Sequence, residues 1–215
     1  MSEQTIKFKA ISSLEKCFYD DDFDKFPELT EISMLKNERL SFQLALFQTA
    51  QKYQIFADYK IVGTLSDYIT VKETVCVPSA KPVEKLNDNF DDNYLRTTPG
   101  LYPDLIKDLG YQNRVAVTVG NLRTLWIDVK LPEDFKAGEY DTEFVLFSGE
   151  ETLASTSVKI TVVDDNLPEN FIPHTEWFYA DCIANYYKVD VFSEEHWRLI
   201  ENFVKTATEN GINTN

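Results

Sequence analysis

The chain has 215 residues, 43% of them hydrophobic and 27% charged, with a formal net charge of −15. That much apolar material supports a sizeable core and argues against global disorder. The acidic balance argues against nucleic acid or an anionic membrane as partner, because both are held by basic patches and the sequence has no run of Lys or Arg.

The N-terminal stretch "MSEQTIKFKA" has no apolar segment of the kind a secretory leader carries, and no stretch approaches the length of a transmembrane helix. Cys17, Cys76 and Cys182 are far apart and odd in number, with neither metal spacing nor a disulfide framework. Reduced thiols in a cytoplasmic protein are the expectation. No phosphate loop, nucleophile elbow or dinucleotide fingerprint is present, so no cofactor is expected.

From residue 5 to about 163 the apolar period is two. "RLSFQLALF" places Phe42, Leu44 and Leu46 on one face, and "YITVKETVCV" is rich in β-branched residues. "RVAVTVG" aligns Val115, Val117 and Val119, and "LWIDVKL" aligns Leu125, Ile127, Val129 and Leu131. "YDTEFVLF" and "SVKITVV" complete the series, the second with Val158, Ile160 and Val162 in phase. Such alternation marks strands with one buried face. Gly120-Asn121 between two runs suits a type II′ hairpin. The long polar stretch "KPVEKLNDNFDDNYLRTTPGLYPDLIKDLGY" interrupts this rhythm. It reads as a structured excursion anchored by Leu95, Leu101, Tyr102, Leu105 and Ile106. Residues 1–166 are therefore expected to form an antiparallel β-sandwich.

Two prolines in "DDNLPENFIP" make 167–172 a stiff connector. "HTEWFYA" then reads as a strand, followed by a loop and a helix. Ser193 is a suitable N-cap, and Phe192 with Trp197 forms a hydrophobic staple. Trp197, Ile200, Val204 and Ala207 share a helix face, and Gly211 fits a left-handed C-cap with Ile212 packing back. Residues 173–215 thus spell strand, loop, helix and the start of a strand. One β/α unit has no means of burying its strand on both faces, so the expectation is the first unit of an incomplete (β/α)8 barrel. Its apolar surfaces would need the remainder of the barrel, the sandwich, or a second copy in a dimer.

Several segments taken in order resemble a known family. "KNERLSFQLAL", "PGLYPDLI", "LWIDVKLPEDFKAGEYDTEF", "DNLPE" and "HTEWFYADCIANYY" are similar to the N-terminal part of glycoside hydrolase family 123-like proteins and the related domain of unknown function 4091. The resemblance implies a sandwich followed by a full barrel, and hydrolysis of a terminal N-acetylgalactosamine through an acidic pair and the substrate's own acetamido group. It also implies that the pair lies beyond Asn215, so no catalytic residue is assigned in this chain.

Trp177, Tyr179 and Asp181 are in phase on the expected strand, whose carboxyl end would face a barrel's active site. Aromatic rings stack on sugar C–H faces, and a carboxylate accepts from hydroxyls. Tyr186 lies with Tyr187 in the following loop, and His174 offers a hydrogen-bonding ring at the strand's start. These five, Trp177, Tyr179, Asp181, Tyr186 and His174, are the candidate substrate-binding residues, with carbohydrate as the partner. The structural alternative is core packing for the aromatics and a satisfied junction residue for His174. His196, in the first turn of the helix, is expected to face solvent. "DDDFD" at 20–24 and "NDNFDDN" at 87–93 lack the Gly and Glu of an EF-hand loop, so both read as solvated loops and no metal is assigned. Two other functions fit a sandwich: a carbohydrate-binding module using Tyr53, Phe56 and Tyr59 as an aromatic platform, or a protein-interaction domain.

Overall fold

The computed structural model describes residues 6–49, 53–81, 94–168 and 173–213. The chain divides into two compact units, Met1–Leu167 and Pro168–Asn215.

Among the described residues the first unit has ten strands. They are β1 (Ile6–Ser12), β2 (Glu31–Lys36), β3 (Arg39–Gln48), β4 (Ile55–Val62) and β5 (Ile69–Ser79), then β6 (Gly100–Asp108), β7 (Val115–Val117), β8 (Arg123–Lys130), β9 (Gly138–Ser148) and β10 (Glu151–Asn166). They form two five-stranded sheets, in the orders β1-β3-β8-β5-β6 and β2-β10-β9-β4-β7. The pairings between them are antiparallel except β2 with β10, which runs parallel from Glu31 opposite Lys159 to Leu35 opposite Val163.

The period-two pattern decides which faces meet. Phe42, Leu44 and Leu46 of β3, Leu125, Ile127 and Val129 of β8, and Val158, Ile160 and Val162 of β10 are all buried in one core. Phe42 meets Phe144 of the facing sheet edge-on, with ring centroids 5.7 Å apart, a favoured aromatic geometry. The arrangement is a β-sandwich. A smaller apolar cluster of Ile11, Cys17, Phe23, Phe26, Ala45 and Leu122 covers the other face of the first sheet, where residues 13–29 cross it. Burial there pushes the Cys17 thiol up to about 12, with Asp21 and Glu15 adding to the shift.

The acidic run 20–24 is an ordered turn. Asp20 pairs with Arg96 at 2.7 Å. Asp21 accepts from the Phe18 amide at 2.9 Å and pairs with Lys25 at 2.7 Å. Asp22 caps a short 3-10 turn by accepting from the Asp24 amide at 2.9 Å. The second acidic run, 87–93, lies outside the described residues.

Two sequence expectations change. "PGLYPDLIKD" is not an excursion: Gly100–Asp108 is strand β6, paired to β5 at the edge of its sheet. Pro103 is tolerated because an edge strand has one side free of the ladder, and the register shifts beside it, between Val75 and Cys76. Of the expected anchors, Leu95, Leu101, Leu105 and Ile106 are exposed. Gly120-Asn121 is not a hairpin turn either. Gly120 has the required positive φ of 72°, but β7 belongs to one sheet and β8 to the other. The Gly120 amide donates to the Gln48 carbonyl at 3.0 Å, so the turn carries the chain across the sandwich. Turn chemistry sets a local bend; the pairing partner is set by which face is buried.

The chain leaves β10 under a side-chain clamp. Asn37, at φ 52°, accepts from the Leu167 amide at 2.8 Å.

The second unit holds α1 (Ala180–Tyr187) and α2 (Glu194–Glu209). The Ser193 hydroxyl accepts from the His196 amide at 3.2 Å, and Phe192 stacks on Trp197 with centroids 5.6 Å apart, as cap and staple require. At the other end Gly211, at φ 92°, donates to the Thr208 carbonyl, and Ile212 donates to that of Ala207, both at 3.1 Å. This is the paired bonding of a Schellman motif. No helix among the described residues is long and apolar enough to cross a membrane.

Candidate functional site

Residues 173–179 do not form the expected strand. They run irregularly, with a single bridge at Thr175. Backbone groups need partners, and those of His174 find one at Asn213: the His174 amide donates to Asn213 Oδ1 at 2.8 Å, and the Asn213 amide donates to the His174 carbonyl at 3.2 Å.

The expected loop is helical instead. Ala180 and Ala184 favour a helix, Ile183 and Ala184 bury one face of α1, and Asp181 in the first turn suits the positive end of the helix dipole. Helix α1 ends on Lys188 in the left-handed region at φ 60°, and the Lys188 amide donates to the Ala184 carbonyl. The phasing of Trp177, Tyr179 and Asp181 therefore breaks at Ala180, and Tyr186 and Tyr187 lie in the last turn of α1.

All five candidate residues are on the surface. Trp177 is 87% exposed, Tyr186 79% and Tyr179 67%. Asp181 is exposed, and the His174 ring approaches Glu176 Oε1 at 3.2 Å. Tyr186 packs edge-on against Tyr187, with centroids 5.0 Å apart. Trp177 lines an apolar groove of about 390 Å³ with Phe178, Phe203, Val204, Ala207 and Ile212, edged by Glu176, Asn202 and Thr206. Trp177 and Tyr179 also line a neighbouring depression of about 310 Å³. His174, Asp181 and Tyr186 line neither. The apolar face of α2 is open as well: Trp197 is 53% exposed and Val204 38%.

His196 is the main correction. It is fully buried, at 0% exposure, where the sequence suggested solvent. Its Nδ1 accepts from the Phe192 amide at 2.8 Å, and its Nε2 lies 2.7 Å from the Ala180 carbonyl. Those partners fix the tautomer: Nε2 carries the hydrogen and donates to Ala180. The ring ties the start of α2 to the start of α1. Phe192 itself sits at φ 60°, a conformation that costs a bulky residue about 1–3 kcal/mol. A signal was available in "FSEEH". A capping box places an acceptor three residues after the N-cap to reach back to the N-cap amide; His196 stands at that position, and its Nδ1 takes the amide one residue earlier, that of Phe192.

Of the aromatic platform suggested on the sandwich, Tyr53 is exposed. Phe56 faces outward, whereas Tyr59 packs against the core. Among the described residues no group of three or more His, Cys, Asp or Glu side chains has the geometry to hold a metal ion.

Residues 177–214 match the family model for the catalytic domain of glycoside hydrolase 123. That segment carries the exposed Trp177, Tyr179, Tyr186 and Phe192. The chain is also similar in fold to a family 123 glycoside hydrolase from Clostridium perfringens, whose structure addresses glycolipid glycan hydrolysis. The TM-score is 0.70 at 15% identity, covering 95% of this chain and 36% of that one. This chain thus spans about a third of the length of the family 123 structure. Weaker likenesses include the N-terminal domain of PorA, with a TM-score of 0.31, 9% identity and coverage of 74% and 100%. The PapD-like domain of human CEP192 gives 0.33, 9% identity and coverage of 77% and 92%. No curated protein matches the sequence.

Proposed function

We propose that this chain is the N-terminal supporting sandwich of a cytoplasmic glycoside hydrolase, joined to the segment that opens its (β/α)8 barrel, with residues 173–179 in the place of the first strand. In this reading residues 1–166 buttress the barrel, 167–172 connect, and 173–215 open it. The remaining β/α units cover Phe178, Phe203 and Val204, and they supply the acidic pair that glycoside hydrolysis requires. Trp177, Tyr179, Asp181, Tyr186 and His174 then line a pocket for an N-acetylhexosaminide, with rings against sugar C–H faces and Asp181 accepting from a hydroxyl. By itself the chain is inactive. The three free thiols suit a reducing compartment.

One coincidence carries the reading: the family match begins at Trp177, and the unit it covers leaves its aromatic residues exposed. The test is hydrolysis of a chromogenic N-acetylhexosaminide by the protein bearing the remaining β/α units. Turnover is expected, with kcat/KM falling at least about tenfold in Trp177→Ala and Asp181→Asn, as the loss of a substrate contact implies. Failure to cleave any hexosaminide, or variants as active as the parent, would sink it.

A further inference from the structure

We propose that Cys17 and Cys76 are a redox pair: a small oxidising disulfide, such as glutathione disulfide, joins them in a bond that pins residues 13–29 to the first sheet of the sandwich. The pair lies within the sandwich and does not depend on the glycoside hydrolase reading.

Cys17 belongs to the segment that crosses the outer face of the sheet, and Cys76 belongs to β5 within that sheet. Both line one cavity of about 210 Å³, together with Tyr19, Thr74, Leu122 and Arg123. The backbone beside Cys17 already reaches Cys76. The Tyr19 amide donates to the Cys76 sulfur, and the Tyr19 carbonyl accepts from the Leu122 amide at 3.1 Å. The thiols also feel each other's charge, Cys76 being one of the groups that raise Cys17. The β5–β6 register shifts between Val75 and Cys76, and a bulge re-aims the side chain beside it. A disulfide demands a specific approach of two side chains. A cavity shared by both leaves them room to turn that a close-packed interior denies.

The chemistry assigns each thiol a part. Burial raises Cys76 above its ordinary value, while Arg123, Arg96 and the Tyr19 amide favour its thiolate. Cys76 is half-buried and Cys17 buried, so Cys76 meets the oxidant. Its thiolate attacks one sulfur of glutathione disulfide, whose S–S bond breaks and releases one glutathione thiolate. Cys17 then gives up its proton and attacks the Cys76 sulfur of the mixed disulfide, and the second glutathione thiolate leaves. Two electrons pass from the protein to the oxidant, and the products are one protein disulfide and two glutathione thiols. The high value of Cys17 slows the second step, and placement in the same cavity offsets that cost.

The experiment incubates the full chain with glutathione disulfide, quenches with an alkylating reagent and maps the peptides by mass spectrometry without reduction. Cys17 and Cys76 should disappear together as one linked peptide, while the exposed Cys182 in the other unit carries a glutathione cap. The sandwich should then unfold at about 1 M higher urea, the scale of a long closed loop, and dithiothreitol should return it to the starting midpoint. In Cys17→Ala, Cys76 should stop at the glutathione adduct, with no rise in midpoint. A wild-type chain in which Cys76 carries glutathione and Cys17 stays free overturns the proposal. So does a chain in which only Cys182 reacts, or one in which the linked peptide forms only in denaturant.

Discussion

The two units differ in where their aromatic residues go: the sandwich buries Phe18, Phe23, Phe26, Phe42 and Phe144 and exposes Tyr53, Phe56, Tyr68 and Tyr94, whereas the second unit exposes every aromatic residue among those described. In the sandwich, Phe42 and Phe144 are 0% and 3% exposed and touch each other. In the second unit, Trp177, Tyr179, Tyr186 and Phe192 are each more than 60% exposed. Composition does not separate them; architecture does. A sheet buries one face against another sheet, and Met1–Leu167 contains both. A pair of helices with an irregular segment has too little facing surface to close over its own rings. Where a unit leaves that much apolar surface open, the surface is reserved for something else.

Thiol chemistry gives the sharpest contrast. Cys17 is buried with its thiol pushed up to about 12, whereas Cys182 is exposed. Near neutral pH a rise from 9.0 to about 12 cuts the reactive thiolate about a thousandfold. Alkylation followed by mass spectrometry should label Cys182 first and Cys17 only on unfolding, and early labelling of Cys17 would break the comparison. Core truncation comes next. Phe42→Ala should cost about 3–5 kcal/mol in denaturant unfolding, as large cavities in cores do, while Trp197→Ala should leave the sandwich transition in place. His196→Ala should then cost about 1–3 kcal/mol, confined to the second unit, because the Phe192 amide and the Ala180 carbonyl lose their partner. Loss of the sandwich transition in that variant would break the comparison. Smallest is Ser193→Ala, about 1 kcal/mol for a lost N-cap, visible as lower helical signal on heating.

Legibility divided along the same line. The sandwich could be read because period-two alternation leaves little choice: Leu125, Ile127 and Val129 have to face one way, and they do. Strand β6 escaped because its apolar residues are exposed and Pro103 argues against a strand unless the strand is known to be an edge. The partner of β7 escaped because Gly120 specifies a bend and not the sheet that receives it. In the second unit the caps were legible, being local chemistry: Ser193, Phe192 with Trp197, and Gly211 stand where the spacing puts them. Helix α1 was not, because eight residues rich in Tyr carry little period. His196 was misplaced because a single polar residue reports nothing about burial until its partners are known. Of those partners, the spacing of "FSEEH" hints at the Phe192 amide, whereas the Ala180 carbonyl is a distant backbone group that no local pattern reveals.

The parallel pairing of β2 with β10 also bears on how the protein emerges during synthesis. Among the described strands β2 pairs with β10 alone, and Glu31 meets its mate only when Lys159 has left the ribosome. At ordinary elongation rates that interval is on the order of ten seconds, far longer than a hairpin needs to form. Through that window Ile32 and Met34 remain on an unpaired ribbon, the moment at which the nascent chain is most open to a holdase or to a wrong edge. Closure of this edge therefore waits on translation of the tenth strand, a non-local pairing of the kind that slows folding.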